Sequence, residues 1–410
     1  MSSRHSATPV MGPVLTSTFK IAAVLALAAG LLVIWRFSVG LGPATAMTDE
    51  QPWGVWKLFN VIVLTSVASG GYAVALLVYV LNRGKYHSLV RHALLTSAVG
   101  YSAAMLALGT DVGTPWNFWK VPLWSWAWNG DSVLLEVALC ITAYILVLWA
   151  EMSPAFLEHW AHTRRDRLGA IARRIMPHVD AALIWIIGLG IVLPTMHQSS
   201  LGTLYILAGY KVHPFWQTPW LPLFFLLSCW IMGYAAVIIT YILSSTRYGR
   251  QTENKTLLSL GRVISWIIGA FLVLRLADLT YRGQWGRVLD GDPHAWLLVL
   301  EFALLIVPVV LLRRMRRARL GQLFRIGILI IGGASLYRMS VVWLGFHPLG
   351  GGTYFPALPE MVVTLGFMAM QVLAYLVIVK KFPILDAKRA TSRRRAGQGS
   401  GGRINGGQVG

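Results

Sequence analysis

Apolar residues run along this chain in blocks of about 20, the length that crosses a bilayer as a helix, and polar residues fall between the blocks. Ten blocks are predicted to be helices, at about 19–40, 55–81, 89–110, 132–150, 178–197, 219–243, 257–280, 295–312, 322–345 and 359–379. Inside lipid each backbone polar group must be satisfied within its own segment, so an all-α integral membrane fold with about ten transmembrane helices is expected. The first block is followed by Arg36 and Phe37 rather than by small residues, and is therefore expected to remain as a helix, not to be removed as a signal peptide.

Composition strengthens this reading. Hydrophobic residues make up 56% of the 410 and charged residues 13%, about half the charge of a soluble domain, which excludes a string of soluble domains. The formal net charge of +20 would in a soluble chain suggest nucleic acid, but its distribution points to membrane lipid. Of the 36 Lys and Arg, 28 fall in the N-terminal tail, the even-numbered loops and the C-terminal tail; seven (Arg36, Lys57, Lys120, Lys211, Arg282, Arg287 and Arg338) are assigned to the opposite side, and Arg275 lies within a helix. By the positive-inside rule both termini are cytoplasmic, in a multi-pass protein of the bacterial inner membrane. The Gly/Arg-rich stretch 384–410 reads as a disordered basic tail. Two isolated cysteines, Cys140 and Cys229, exclude a self-contained iron–sulfur cluster.

The helices carry an internal similarity. Gly71-Tyr-Ala-Val-Ala-Leu-Leu-Val-Tyr79-Val-Leu81 in helix 2 matches Gly233-Tyr-Ala-Ala-Val-Ile-Ile-Thr-Tyr241-Ile-Leu243 in helix 6 at five of eleven positions. Leu135-Glu136-Val-Ala-Leu139 in helix 4 matches Leu300-Glu301-Phe-Ala-Leu304 in helix 8, and Asp111 ending helix 3 corresponds to Asp278 on helix 7. Two parallel-repeat four-helix bundles, helices 2–5 and 6–9, flanked by helices 1 and 10, account for this. The expected division is a tail, helix 1 and outer loop over 1–50, a first bundle over 51–200, a second over 201–349, helix 10 over 350–383, and the tail.

Charge inside a bilayer costs at least about 2.5 kcal/mol per group at a helix centre, so each such residue calls for a reason. Asp111, Glu136, His197, Arg275, Asp278, Glu301 and Glu360 all fall in or near the outer halves of their helices, which predicts a polar site toward the periplasmic face. A carboxyl or imidazole in low dielectric can pass protons, and Asp111, Glu136 and His197 are expected to converge in the first bundle. Arg275 and Asp278, three apart on one helix, can equally neutralise each other, with Glu301 a neutral acid bonded across helices. Helix 5 is expected to end in Pro194-Thr-Met-His197-Gln-Ser-Ser. Haem needs axial histidines facing one another within the bundle; most of the ten histidines lie at helix ends or in loops, and His92 with His178 is the one conceivable pair.

Several strings bear a family likeness: Pro52-Trp-Gly-Val-Trp56, Asn82-Arg-Gly-Lys-Tyr-His-Ser-Leu-Val-Arg91, Asp111-Val-Gly with Trp116-Asn117, Leu193-Pro-Thr-Met-His-Gln-Ser-Ser-Leu-Gly202, Gly209-Tyr-Lys-Val-His-Pro214, and Leu274-Arg with Tyr281-Arg-Gly283. Over about 30–385 the chain resembles the HybB-type membrane subunits of [NiFe] hydrogenases, within the wider NrfD/PsrC-like family. The resemblance implies a quinone-reactive subunit with no haem and no iron–sulfur cluster of its own, binding menaquinone or ubiquinone as substrate near the periplasmic side of a four-helix bundle. It implies a ferredoxin-like iron–sulfur subunit and the hydrogenase small and large subunits as partners, passing electrons from H₂ to the quinone. Carried onto this sequence, it puts His197, Asp111, Tyr72, Trp116 and Asn117 around the head group, Glu136 as a proton relay, and Arg275, Asp278 and Glu301 on a second proton path. Asp278 stands where the pattern is expected to have Glu, which shortens reach and keeps the chemistry. A quinone-reactive subunit of another respiratory oxidoreductase, a proton-coupled transporter and a passive anchor stay open as alternatives.

Overall fold

The computed structural model describes residues 8–10, 12–250, 252–347 and 354–385; the basic tail expected over 384–410 falls almost wholly outside them. Ten helices among them are long and apolar enough to cross a membrane, and the protein is a multi-pass membrane protein. They are α1 (Ser17–Val39), α2 (Val55–Val80), α3 (Gly84–Asp111), α4 (Val133–Thr163), α5 (Arg167–Leu207), α6 (Leu221–Tyr248), α7 (Asn254–Tyr281), α8 (Ala295–Arg314), α9 (Leu320–Leu344) and α10 (Leu358–Lys381). An even number of spans returns the chain to the face it left. The N-terminal segment indeed lies against the end of α10, with the Thr8 N–H donating to the Leu385 carbonyl at 3.0 Å and the Val10 N–H to that of Val379 at 3.2 Å. This is the termini face, and the opposite one is the distal face.

The contacts close into two rings. α2 packs on α3, α3 on α4, α4 on α5 and α5 back on α2; α6, α7, α8 and α9 repeat the circuit. α1 packs along α10, and α10 leans on α3. The rings meet mainly where α6 crosses α2 and α5.

That crossing explains Gly233 and Gly70, the neighbour of the matched Gly71, which itself packs on Ser97 and Leu94 of α3. A β-carbon on Gly70 would meet the Gly233 carbonyl oxygen at 3.1 Å and Val237 more closely still, and one on Gly233 would meet the Ser69 carbonyl oxygen at 3.0 Å. Two backbones approach this closely only without side chains between them, the packing device of membrane helices. The contact is sealed by the Tyr234 hydroxyl, which donates to the Ala73 carbonyl at 2.7 Å.

Two features depart from the sequence reading. α4 and α5 run far past their apolar stretches, to Thr163 and from Arg167, forming a long hairpin on the termini face; hydropathy marks only the part of a helix that lipid covers. The Asp166 side chain restarts the helix by accepting from the Gly169 N–H at 3.2 Å. At the other end α5 does not stop at Ser200 but continues to Leu207, with Pro177 and Pro194 inside it, so the His197-Gln198-Ser199-Ser200 run is helical. Secondly, α2 contains wide π-type turns over Leu58–Leu64 and Leu76–Val80, and α9 ends in one over Ser340–Leu344. Such turns redirect backbone carbonyls and are frequent at functional positions.

Replacing Gly233 by Val should destabilise the folded protein by about 2 kcal/mol or more through overpacking. The same change at Gly269, which has open space around it, should be nearly neutral, a contrast that unfolding of the purified protein in mixed detergent will read directly.

Candidate functional site

The polar centre of the molecule lies where the rings meet. Arg338 of α9 is fully buried. Its Nε donates to Ser228 Oγ at 2.9 Å, Nη1 to the Ile62 carbonyl at 2.8 Å, and Nη2 to Gln198 Oε1 at 3.0 Å and to the Phe225 carbonyl. The guanidinium carbon stands 4.6 Å from the centre of the Phe225 ring. The Ile62 carbonyl is aimed at the arginine by the π-type turn of α2. Gln198 of α5 continues the network: its amide nitrogen donates to Thr65 Oγ1 at 3.1 Å and to the Tyr101 hydroxyl at 3.2 Å, and its oxygen accepts from Ser66 Oγ at 3.1 Å. Sequence reasoning assigned Arg338 to the outer surface. The structure corrects this: it is a buried cation shared by α2, α5, α6 and α9, because one charge near a helix end looks alike from sequence whether it turns outward or inward.

His197 sits one residue from Gln198. It is 0% exposed, lies edge-on to Tyr101 with ring centroids 5.8 Å apart, and borders the α4 backbone at Val137. Neither ring nitrogen makes a hydrogen bond of good geometry, and neither does the hydroxyl of Tyr144 stacked edge-on to Tyr101. Val137 follows Glu136, and Glu136 Oε1 accepts from Ser200 Oγ at 2.8 Å, one turn along α5 from His197. Glu136 is half-buried, so this carboxylate links the surface to the buried imidazole. Tyr72 reaches α5 from another side, through a 2.5 Å hydrogen bond to Thr195 Oγ1, two residues from His197 and about 200° round the helix from it. His197, Glu136 and Tyr72 are therefore gathered around α5.

Asp111 belongs to a second group. Its carboxylate pairs with Lys57 Nζ at 2.6 Å and accepts from Trp56 Nε1 at 3.0 Å. Trp56 and Lys57 lie about two turns of α2 away from Thr65, the Gln198 partner. The expected convergence of Asp111 with His197 is thus not a direct contact; Asp111 is anchored by its own cation. Nearby, the side chain of Glu360 accepts from the backbone N–H groups of Ala46 at 2.8 Å and Val55 at 3.2 Å, and from the Tyr354 hydroxyl, fastening α10 to the start of α2. Trp116, 69% exposed, and Asn117, in a short helical turn at Pro115–Asn117, stand on the α3–α4 connection with no recorded contact to His197.

In the second ring the predicted charges do assemble. Arg275, 0% exposed, lies 3.6 Å from both Asp278 Oδ2 and Glu301 Oε1, distances of charge attraction rather than hydrogen bonding. Asp278 is bonded instead by Arg282 Nη2 at 2.6 Å and by Thr218 Oγ1 at 2.7 Å, and Glu301 Oε2 by Trp216 Nε1 at 2.9 Å. Among the described residues the Arg275 nitrogens make no hydrogen bond of good geometry; its guanidinium carbon is 5.4 Å from the Tyr337 ring centre. The bonds from Trp216 and Thr218 come from the α5–α6 connection, which carries no sequence signal for this role. Two cavities, of about 280 Å³ between α3, α6 and α10 and about 520 Å³ at Pro214, Gln217 and Arg282, do not include His197.

Ten apolar helices in two rings, with Arg338, Gln198 and His197 buried where the rings meet, describe a polytopic membrane protein with a polar interior. Residues 43–347 match the family model Polysulphide reductase, NrfD, and the chain belongs to this family. It is 36% identical over 95% of its length, and 98% of the relative, to the Probable Ni/Fe-hydrogenase 2 b-type cytochrome subunit of Escherichia coli (strain K12). It is also 31% identical over 61% of its length to the Menaquinone reductase, integral membrane subunit, of Nitratidesulfovibrio vulgaris, covering 59% of that protein. To a subunit of the selenate reductase of Mesobacillus selenatarsenatis it is 20% identical over 90% of its length and 95% of the relative. These relatives are membrane subunits and components of oxidoreductases, and the family places this chain in respiratory electron transport.

The first of these names corrects one expectation. A relative aligned along nearly the whole chain is called a b-type cytochrome subunit, which implies haem, so the reading of a chain without haem is withdrawn. The histidine pair conceived for haem does not form. His92 Nε2 is engaged with Thr240 Oγ1 at 2.9 Å and Nδ1 with the Tyr375 hydroxyl at 3.1 Å, while His178 is exposed.

Arg338→Ala should lower stability by about 2–4 kcal/mol, since Gln198 and two backbone carbonyls lose their donor inside the protein. Arg338→Lys should recover only part of this in detergent unfolding, because one ammonium cannot reach all four acceptors.

Proposed function

We propose that this chain is the quinone-reactive membrane subunit of a [NiFe] hydrogenase complex. H₂ is oxidised in the partner subunits to two protons and two electrons, the electrons pass through an iron–sulfur protein docked at the distal, periplasmic face, and a quinone bound in this chain takes up two electrons and two protons to become quinol. The hydrogenase and menaquinone reductase relatives support this reading, and one observation carries it: His197 is a fully buried imidazole whose nitrogens make no hydrogen bond of good geometry to the described residues, one helical turn from the Ser200 hydroxyl that bonds the half-buried Glu136.

In this reading the head group approaches the α2–α5 ring from lipid, with its carbonyls directed toward His197 and Tyr72. The His197 N–H donates to a carbonyl oxygen as it is reduced, and Glu136 resupplies the proton through Ser200, whose hydroxyl can both donate and accept. Asp111, fixed by Lys57 and Trp56, holds the start of α2 and the α3–α4 turn carrying Trp116 and Asn117, where the iron–sulfur partner docks. Arg275, Asp278 and Glu301 form the corresponding centre of the second ring, and their loose charge contacts suit a proton path more than a rigid ion pair. The partners are the ferredoxin-like subunit and the hydrogenase small and large subunits, and the setting is the bacterial inner membrane with both termini cytoplasmic.

His197→Ala should cut hydrogen-dependent quinone reduction by about 100-fold or more, and Glu136→Gln should slow it. Co-purification of the partner subunits and hydrogen-dependent reduction of a soluble dye by them should survive. Full quinone turnover in the His197→Ala complex would reject the site; loss of the partners in that variant would point to an assembly role instead.

A further inference from the structure

Three histidines from three separate distal connections meet above the second ring. His213 lies between α5 and α6, His294 at the start of α8 and His347 just after α9; one nitrogen from each lies within 4.8 Å of the others. The ring centroids are 4.4 Å apart for His213 and His294, 5.1 Å for His294 and His347, and 5.6 Å for His213 and His347. A carboxylate completes the group, as Asp292 Oδ2 lies 3.1 Å from His213 Nε2 and Oδ1 lies 3.3 Å from His294 Nδ1.

The backbone holds these groups in place. Val212 and Phe346 form an isolated antiparallel bridge. Around it the His213 N–H donates to the Gly345 carbonyl at 2.7 Å and the His347 N–H to the Lys211 carbonyl at 2.7 Å. Asp292 Oδ1 accepts from the His294 N–H at 2.8 Å. Two of the imidazoles are thus fixed by mutual pairing of their segments and the third by a turn built on the carboxylate.

We propose that His213, His294, His347 and Asp292 form a binding site for a divalent transition metal ion, Zn²⁺ being the best match. Ligand atoms about 2.0–2.1 Å from a tetrahedral ion stand about 3.3 Å from one another, and the two nitrogen–oxygen distances already fall near this value. Imidazole-rich donors favour Zn²⁺ and its neighbours over Mg²⁺ or Ca²⁺. The ion takes the place of the hydrogen between His213 Nε2 and Asp292, the ring proton moving to Nδ1 in place of the 3.3 Å bond Nδ1 accepts from the Phe215 N–H, and exposed His347 closes in as the last ligand.

An ion here ties the 5–6, 7–8 and 9–10 connections together. Trp216, three residues after His213, bonds Glu301, so the clip also braces the Arg275 cluster from above.

The test titrates Zn²⁺ alone into the full-length, chelator-treated protein in detergent by calorimetry, with Co²⁺ absorption as a readout of tetrahedral coordination. One ion per chain, a raised melting temperature and a tetrahedral cobalt spectrum are expected. His347→Gln, an exposed position, should weaken binding by at least about 10-fold, and His294→Asn should abolish the cobalt spectrum. Zn²⁺ should also protect His213, His294 and His347 of the unmodified chain from diethylpyrocarbonate, a measurement that needs no variant. Absence of protection, or Zn²⁺ binding that His347→Gln leaves unchanged in a variant melting like the parent, overturns the site.

Discussion

A guanidinium cannot be left unpaired in the interior of a membrane protein, and the way Arg338 meets that constraint organises the whole structure. The five donors of an arginine are fixed in one plane, so acceptors must be brought to it from several directions. Here they come from Ser228 and Phe225 of α6, Ile62 of α2 and Gln198 of α5, which means that both rings contribute to one polar junction. The glycine crossing of α2 and α6 brings the backbones close enough for this reach, and the π-type turn of α2 supplies the carbonyl. Gln198 then passes the order on to Tyr101, against which His197 rests.

The two rings use matching acids differently. In the second, Arg275 stands between Asp278 and Glu301, and the three form one charged group. In the first, the position corresponding to Arg275 is Leu108, and Asp111 and Glu136 go separate ways, one to Lys57 and the other to Ser200. Without a cation at that position, Glu136 bonds Ser200, one turn of α5 from His197. Keeping it makes the second ring a stronger electrostatic centre.

What the sequence revealed follows from which energies are local. The ten spans were legible because transfer of apolar side chains into lipid is summed along contiguous residues, and the Arg275–Asp278 pair because three positions along a helix face the same way. The lower part of α5 was not, since Arg173 and Arg174 read as loop although the helix continues through them. Arg338 was misplaced for a related reason: its acceptors lie between 110 and 276 positions away in the chain, and no local window contains them. His213, His294 and His347 escaped notice because each sits alone in a polar connection and only folding brings them together. His197 and Glu136 stood out as polar residues in apolar runs, but their link through Ser200 depends on α5 staying helical beyond Pro194, where proline suggested an end.

The wide turn at Leu58–Leu64 has an evolutionary corollary. Each helical residue turns the following ones by about 100°, so the residue absorbed by that turn sets the azimuth of everything after it in α2. Loss of a single codon there would swing Gly70 away from Gly233 and Ser66 away from Gln198 together, while leaving hydrophobicity untouched. The length of this segment therefore matters to the junction of the two rings independently of its apolar composition.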